Sequence, residues 1–223
     1  APFRSRSMHG ARLEIAPDVT LWRGALERDT QRELVADVFA RVGRAPFCRP
    51  RMPISGKPFS VKMTNFGSLG WVSDEAGYRY SQTHPETQRS WPEIPPLLLE
   101  LWSEATGYPA HPECCLVNLY RNGARMGLHQ DRDEQALDAP VLSVSLGDTA
   151  LFRMGGTSRR GPTTSLRLES GDVLTFGGRA RLAFHGIDRV MEGTSELVAG
   201  GGRINLTLRR VTSPKKQDAR PGG

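Results

Sequence analysis

A histidine and an aspartate two residues apart, with a second histidine far along the chain, constrain how this sequence can fold. His129 and Asp131 lie in residues 128–134, and His185 lies in a second extended stretch, residues 182–186. Because side chains alternate along extended backbone, residues two apart project to the same face. An imidazole nitrogen and a carboxylate oxygen can therefore reach one point, and His185 completes the set only if the two extended segments lie side by side. The pattern predicts a sheet with a metal site on one face.

Two histidines and one carboxylate on one face of a metal leave its other positions open, which is the arrangement of non-haem Fe(II) oxygenases. The open positions bind a co-substrate and dioxygen, so the pattern indicates oxidative chemistry. Surface histidines are common, and an ordinary pairing of His129 with Asp131 is the competing interpretation. The sequence on either side of the triad has to decide between the two.

A strictly alternating segment follows His185 at residues 203–209. Its apolar side chains are Ile204, Leu206 and Leu208, and its polar side chains are Arg203, Asn205, Thr207 and Arg209. With a period of two, the apolar set packs in a core and the polar set lines the opposite face. A guanidinium donates two parallel hydrogen bonds to a carboxylate, so a dicarboxylate between Arg203 and Arg209 would be held at both ends. A strand face with its charges in solvent is the alternative interpretation.

Asn118 and Tyr120 form another polar face of period two, just ahead of the His-x-Asp run. They add an amide and a phenol hydroxyl to the groups that can line a site. One polar strand face is unremarkable, but several that converge on one triad favour a binding site over scattered surface residues.

Together these motifs resemble the AlkB family of Fe(II)- and 2-oxoglutarate-dependent dioxygenases, which remove alkyl lesions from nucleobases. The matching segments, in the order and spacing of the family, are residues 63–71, 77–80, 118–120, 129–134, 143–147, 171–173, 185–187 and 203–209. The resemblance covers roughly residues 19–212, which is nearly the whole chain. It implies a mostly β fold with flanking helices: a double-stranded β-helix, or jelly roll, with N-terminal helices and a nucleotide-recognition lid.

The resemblance also implies the ligands of each bound group. It places Fe(II) on His129, Asp131 and His185, which are then the catalytic residues. It places 2-oxoglutarate, which reacts together with O2, on two sets of side chains. The far carboxylate meets Arg203, Tyr120 and Asn205, and the carboxylate next to the metal meets Arg209 and Asn118.

Residues 58–82 carry five aromatic side chains among glycines, which by residue type alone is typical of an ordinary hydrophobic edge. An enzyme that acts on a base has to take it out of the stack and hold it between aromatic faces. By resemblance this segment is the lid, with Trp71 and Tyr78 stacking on the base and Tyr80 supporting a phosphate or the lid itself. Asp133 would face the exocyclic edge of the base, and Arg159 would contact the substrate.

The implied reaction is oxidative demethylation of 1-methyladenine and 3-methylcytosine in DNA, coupled to conversion of 2-oxoglutarate to succinate and with release of formaldehyde. The same chemistry on RNA, protein or lipid is one alternative. Trp71, Tyr78 and Asp133 together favour a base, without distinguishing DNA from RNA. A silent nucleic-acid-binding module is the other alternative, which the complete triad and both carboxylate-binding arginines disfavour.

Composition agrees with this interpretation. The chain has 223 residues, enough for one sizeable domain, and a formal net charge of +6, which suits a polyanion. Cys48, Cys114 and Cys115 are too few and too poorly spaced for a disulfide framework or a zinc site, which favours a reducing compartment. No apolar run has the length of a membrane span. We expect a cytoplasmic monomer that acts on alkylated DNA, single-stranded by preference, with RNA as the alternative.

The chain divides into a helical front part with the lid, about residues 12–110, and a jelly-roll core, about residues 115–212. Residues 1–11 and 213–223 are expected to be flexible tails of this single domain. A capping box at residues 30–33 predicts the start of a first helix, with Leu34, Val35, Val38, Phe39 and Val42 on its packed face. A second helix is expected between Pro95-Pro96 and Gly107, with Trp102 in the core.

Strands are expected at residues 166–168 and 173–176, among other short strand signals after residue 115. Residues 197–202 look one residue longer than the family pattern, so the path of this loop is left open, while Arg203 and Arg209 keep their places.

Overall fold

The computed structural model describes residues 8–214. It contains two helices, α1 (Arg28–Val42) and α2 (Pro96–Thr106), and a short 3-10 turn at Gly178–Ala180. The strands are β1 (Ala11–Ala16), β2 (Val19–Arg23), β3 (Lys62–Gly67), β4 (Gly70–Asp74), β5 (Gly77–Ser81), β6 (Cys114–Tyr120), β7 (Met126–His129), β8 (Val141–Gly147), β9 (Thr149–Gly155), β10 (Thr163–Leu168), β11 (Val173–Phe176), β12 (His185–Met191) and β13 (Arg203–Arg209).

Two antiparallel sheets form the body of the protein. The larger has seven strands in the order β1-β2-β11-β8-β13-β6-β3, and the smaller has four in the order β10-β9-β12-β7. A cluster of buried side chains joins residues of both sheets, among them Leu116 and Leu174 of the larger and Phe152 and Ile187 of the smaller. The predicted mostly β jelly roll is therefore confirmed, with one core between its two sheets.

The helices cover the outer face of the seven-stranded sheet. Ile204, Leu206 and Leu208 of β13 pack there against α1 and α2. Trp102 of α2 is fully buried and donates from Nε1 to the carbonyl oxygen of Ala110, 3.0 Å away. The second predicted helix and the core position of Trp102 are confirmed.

The first helix begins earlier than its capping-box pattern predicts. Its N-cap is Glu27, whose backbone is extended, and Thr30 lies inside the first turn. The capping-box prediction was therefore wrong. Gln31 instead donates to the carbonyl oxygen of Leu26 and accepts a bond from the hydroxyl of Ser170, so it ties the start of α1 to the loop before β11.

The front part is richer in strands than the sequence suggests. Five strands, β1 to β5, precede residue 115, where the sequence predicts a helical part and a lid of loop or short-hairpin composition. Three of them, β1, β2 and β3, belong to the large sheet, in which β2 pairs with β11 and β3 pairs with β6. These pairings join residues far apart in sequence, and a local pattern does not report such partners. The lid strands β4 and β5 form a separate two-stranded hairpin.

Three further expectations concern the chain as a whole. All three cysteines are free. Within residues 8–214, neither helix has the length and apolar character that a membrane span requires. Of the predicted tails, residues 1–7 and 215–223 lie outside the described residues, while Ala11 already opens β1.

Candidate active site

The paired strands β7 and β12 bring the two histidines of the triad together. His129, the last residue of β7, lies directly opposite His185, the first residue of β12. Asp131 follows two residues after His129. Its Oδ1 lies 3.8 Å from Nε2 of His129, and its Oδ2 lies 3.7 Å from Nε2 of His185. The three ligand atoms all lie within 4.8 Å of one another. The predicted triad is thus a cluster in space.

Backbone carbonyls fix both imidazole rings in the orientation that a metal ligand needs. Nδ1 of His129 lies 2.9 Å from the carbonyl oxygen of Gly127, and Nδ1 of His185 lies 3.0 Å from that of Ala183. A carbonyl oxygen only accepts, so each Nδ1 carries the proton and donates it. Each Nε2 is then left with a free lone pair for a metal.

The charge state of the triad also suits a divalent cation. Burial alone would raise the pKa of Asp131, but Arg209, followed by His185 and His129, holds this pKa well below its usual range. Burial, reinforced by His129, lowers the pKa of His185 to about 4. At neutral pH the site therefore presents one carboxylate and a neutral imidazole at His185. These are the protonation states that metal binding requires.

Asp131 keeps one oxygen for a ligand. Its Oδ1 accepts a hydrogen bond of 2.8 Å from Nη2 of Arg209. Its Oδ2 is buried and has no hydrogen-bond partner among the described residues. A buried carboxylate oxygen without a partner is costly, and a cation between it and the two Nε2 atoms removes that cost. The three residues thus fit Fe(II) as a bound ion.

The polar face of β13 is buried beside the triad. Arg203, Asn205, Thr207 and Arg209 are all buried, and the exposed fraction of Arg203 is 0%. In the register with β6, Arg203 pairs with Tyr120 and Asn205 pairs with Asn118. The alternative of a solvated strand face is therefore wrong.

Arg203 is a buried cation whose hydrogen-bonding capacity is mostly unused. Its Nη2 donates to Oγ of Ser145 at 2.9 Å, while Nε and Nη1 have no partner within residues 8–214. No carboxylate in the described chain lies within ion-pair distance of it, and burial lowers its pKa to about 10. It stays charged at neutral pH. A guanidinium with two free donors in the interior fits the carboxylate of a small anion.

A serine hydroxyl of β8 and a threonine hydroxyl of β13 hold the amide of Asn205 in place. Asn205 donates from Nδ2 to Oγ of Ser143 at 2.7 Å, and Thr207 donates its hydroxyl to Oδ1 of Asn205, also at 2.7 Å. Asn118 Oδ1 and Arg209 Nε are buried with no hydrogen-bond partner in the described structure. The site thus combines an amide that is held in one orientation with polar atoms that have no hydrogen-bond partner in the described structure.

The loop before β13 is anchored on both sides. The buried carboxylate of Asp148 accepts bonds from the backbone amides of Ser195 at 2.9 Å and Gly202 at 3.1 Å. Arg121 donates to the carbonyl oxygens of Ala199 and Gly201. The path of residues 197–202, which the sequence leaves open, is therefore fixed directly before Arg203.

A cavity of about 680 Å³ joins the triad to the polar strand faces and to the lid. The predicted site residues that line it are His129, Asp131, His185, Asn118, Tyr120, Arg203, Asn205, Arg209, Trp71, Tyr78, Asp133 and Arg159. Twelve of the thirteen side chains that the sequence singles out therefore border one space.

The lid hairpin places an aromatic pair at the mouth of this cavity. The rings of Trp71 and Tyr78 are stacked, with centroids 5.4 Å apart and planes at 21°. Trp71 donates from Nε1 to Oδ2 of Asp133 at 2.9 Å, which links the lid to the segment that follows the metal ligands. Arg159 lies 6.0 Å from the ring of Phe184 at the cavity wall. Trp71 thus contacts both Tyr78 and Asp133, and Arg159 borders the same cavity.

Tyr80 is the predicted residue that lies apart from the cavity. Its hydroxyl donates to Oε1 of Glu134 and accepts a bond of 3.3 Å from Nη1 of Arg209. Of the two roles that the sequence suggests, this contact corresponds to support of the lid.

A buried ion pair between Arg181 and Glu134 lies next to Asp131 and was not predicted from the sequence. Arg181 donates from Nη2 to Oε2 of Glu134 at 3.0 Å, and its other nitrogens reach the backbone carbonyls of Asp131 and Ala139. Glu134 lies in the matched segment 129–134, which is a signal that could have marked it. Arg181 follows a 3-10 turn and has no local pattern that distinguishes it from a surface arginine.

Comparisons with known proteins agree with this geometry. The family model of the 2OG-Fe(II) oxygenase superfamily matches residues 18–209. The alpha-ketoglutarate-dependent dioxygenase AlkB homolog of Caulobacter vibrioides is 57% identical over 208 residues, covering 93% of this chain and 94% of that protein. AlkB of Escherichia coli is 42% identical over 183 residues, covering 80% and 84%. The solved structure of OsALKBH1 superposes with a TM-score of 0.79 at 30% identity and covers 90% of this chain and 100% of that one.

Proposed function

The chain belongs to the AlkB family within the 2OG-Fe(II) oxygenase superfamily, and from this membership we propose that it repairs N-methylated bases in DNA. As a member it is a Fe(II)- and 2-oxoglutarate-dependent dioxygenase of a family of nucleic acid demethylases. The proposal extends this to 1-methyladenine and 3-methylcytosine as substrates and to formaldehyde as the released product.

We assign Fe(II) to His129, Asp131 and His185, the cluster in which each ring already presents Nε2. When bound, iron and 2-oxoglutarate supply the oxidant, and 2-oxoglutarate leaves as succinate and carbon dioxide. The chain's own part is to hold the reactants and to exclude water from the space between them.

We assign 2-oxoglutarate to the polar faces of β6 and β13. Arg203 would bind the far carboxylate through its free Nε and Nη1, with Tyr120 and Asn205 beside it. Arg209, whose Nε also has no hydrogen-bond partner in the described structure, and Asn118 would bind the carboxylate next to the metal. An amide can turn either its oxygen or its NH2 group toward the cavity, so Asn118 can donate there.

The aromatic pair and Asp133 favour a nucleobase as the substrate. Stacking on an aromatic ring contributes about 1–3 kcal/mol per base and tolerates any base, because every base has a π face. The carboxylate of Asp133, fixed by the indole of Trp71, can accept a hydrogen bond from an exocyclic amino group. Arg159 at the cavity wall would contact the same nucleotide. Hydroxylation of the methyl carbon then gives an N-hydroxymethyl base, which releases formaldehyde and a proton and restores the unsubstituted ring nitrogen.

One observation carries the proposal: an uncompensated buried Arg203, a metal-binding triad and a stacked aromatic pair all border one cavity. The test is to incubate a single-stranded oligonucleotide containing 3-methylcytosine with enzyme, Fe(II), ascorbate and 2-oxoglutarate. We expect loss of the methyl group by mass spectrometry, with matching amounts of succinate and formaldehyde. Asp131→Ala serves as the inactive control. Succinate formation without any change in the oligonucleotide would contradict the proposed substrate.

RNA remains the alternative substrate, since nothing in the aromatic pair distinguishes the two sugars. The same lesion in an RNA oligonucleotide of identical sequence measures the preference directly. A value of kcat/KM for RNA above that for DNA would replace the proposed DNA repair function by one on RNA.

A further inference from the structure

A turn beside the lid holds one isoleucine completely in solvent. Ile54 is 103% exposed, which is the largest value among the exposed large hydrophobic side chains of residues 8–214. Met52, two residues earlier, is 45% exposed and lines the mouth of the cavity. A single exposed apolar residue is ordinary on a protein surface. Its surroundings make this one different.

The turn at residues 52–57 is held in shape by its own backbone. The amide of Met52 donates to the carbonyl oxygen of Lys57, and the amide of Gly56 donates to that of Met52, both at 2.9 Å. Nη1 of Arg51 donates to the carbonyl oxygen of Gly56, also at 2.9 Å. Ile54 is therefore held out at the tip of an ordered turn instead of folding back onto the surface.

The same turn is fastened to the hairpin that carries the base-stacking pair. The amide of Arg51 donates to the carbonyl oxygen of Ser73 in β4, and the hydroxyl of Ser73 donates back to the carbonyl oxygen of Arg51 at 2.6 Å. Phe59, just after the turn, meets the ring of Trp71 edge-on, with centroids 6.3 Å apart. The tip and the stacking residues thus belong to one connected unit.

The positive charges around the tip favour a polyanion as the binding partner. Residues 48–62 contain Arg49, Arg51, Lys57 and Lys62 and no aspartate or glutamate, and all four basic residues are exposed. Phosphate groups on both sides of an apolar tip are what a nucleic-acid duplex offers. An apolar side chain held among basic ones is also the composition of wedges that enter between base steps.

We propose that Ile54 is a wedge that enters the base stack of a duplex beside the nucleotide taken into the cavity. The proposal rests on the proposed function, because a base has to leave the stack to reach the triad. Extrusion leaves a gap, and unstacking costs a few kcal/mol per step. An isoleucine in the gap replaces the lost apolar contacts and opposes the return of the base. A single strand has no such gap, so the wedge acts on duplex substrates alone.

The experiment compares duplex and single-stranded substrates that contain the same 3-methylcytosine. With Ile54→Ser we expect kcat/KM on the duplex to fall about tenfold, the value for about 1.4 kcal/mol, while that on the single strand stays within about twofold. Ile54→Phe should keep the duplex activity, since a larger apolar side chain still fills the gap. Leu13→Ser is the matched control, because Leu13 is 42% exposed on β1, at the opposite edge of the large sheet from β3.

A binding measurement keeps the wedge separate from the proposed function. With 2-aminopurine next to the lesion in a duplex, we expect its fluorescence to rise on adding the wild-type protein and to stay low with Ile54→Ser at equal occupancy by anisotropy. This result would support the wedge even if no demethylation is found, an outcome that contradicts the proposed function alone. Equal losses on single and double strands, or an unchanged fluorescence response in Ile54→Ser, would overturn the wedge. A change in oligomeric state in Ile54→Ser would assign the tip to a second copy of this chain and overturn it too.

Discussion

Replacing Arg203 with methionine should weaken 2-oxoglutarate binding and at the same time stabilise the protein in the absence of 2-oxoglutarate. Burial lowers the pKa of Arg203 to about 10, well below the ordinary value of an arginine. Since one pKa unit corresponds to about 1.4 kcal/mol, burial of this charge costs the folded protein about 3 kcal/mol. Methionine has a similar length and no charge, so the cost disappears, and the free energy of unfolding should rise by about 1–3 kcal/mol.

The expected loss of affinity follows from the two free donors of Arg203. Hydrogen bonds to charged groups contribute about 1.5–3 kcal/mol each, so removing a fork of two weakens binding of 2-oxoglutarate by about 3–5 kcal/mol. This corresponds to an affinity lower by a factor of about 100 to 1,000 or more. Calorimetric titration of 2-oxoglutarate with Mn(II) in place of iron, without oxygen, measures it.

The control for this experiment is Arg153→Met. Arg153 also has a buried Nε without a partner, but it is half-buried on β9 with an ion pair to Asp188 and does not line the cavity. Its replacement should leave the affinity for 2-oxoglutarate unchanged. The reasoning is refuted if Arg203→Met binds 2-oxoglutarate as the wild type does, or if it lowers the free energy of unfolding by several kcal/mol.

Three further substitutions test other parts of the site. Asp131→Ala removes the anionic ligand, so Fe(II) affinity and turnover should collapse while the circular dichroism spectrum is kept; turnover near the wild-type value would contradict the triad. Trp71→Ala should raise KM for the alkylated oligonucleotide by about tenfold or more through lost stacking, whereas Trp102→Ala should lower the free energy of unfolding by about 3–5 kcal/mol through a core cavity. If Trp71→Ala unfolds the protein and the folded fraction repairs normally, Trp71 is a core residue. Asp148→Ala leaves buried amides without an acceptor, so hydrogen exchange at residues 195 and 202 should accelerate and KM for 2-oxoglutarate should rise; unchanged exchange would exclude this anchor.

The parts of the site that could be predicted from the sequence are those in which polar side chains repeat every second residue within one short segment. His129 and Asp131 lie two apart in extended backbone, and residues 203–209 alternate without interruption, so each pattern by itself indicates which side chains share a face. The structure brings both faces to one cavity. The second helix was predicted for a related reason, because its proline entry and its glycine exit are local signals too.

The parts that sequence reasoning missed depend on partners distant in the chain. Arg181 meets Glu134 and the backbone of Asp131 only after β7 and β12 have paired. The strands β2 and β3 were missed because their partners, β11 and β6, come much later in sequence. The capping box failed for a different reason. The pattern at residues 30–33 is genuine, but the chain turns into the helix at Glu27, where the backbone approaches β11.

The opposition of His129 and His185 across two paired strands makes the metal site depend on strand register. Side chains alternate with a period of two, so a slip by one residue in β7 would turn His129 to the outer face of the sheet. The close approach of the two strands requires a glycine at position 186, because a Cβ there would lie 2.6 Å from the carbonyl oxygen of Met126. A slip that moved a neighbouring residue into this position would therefore cause a clash. Loops between Asp131 and His185 can therefore vary in length at little cost to the triad, whereas one insertion inside either strand abolishes it. The metal site therefore depends on the spacing of residues along β7 and β12 as much as on the identity of the three ligands.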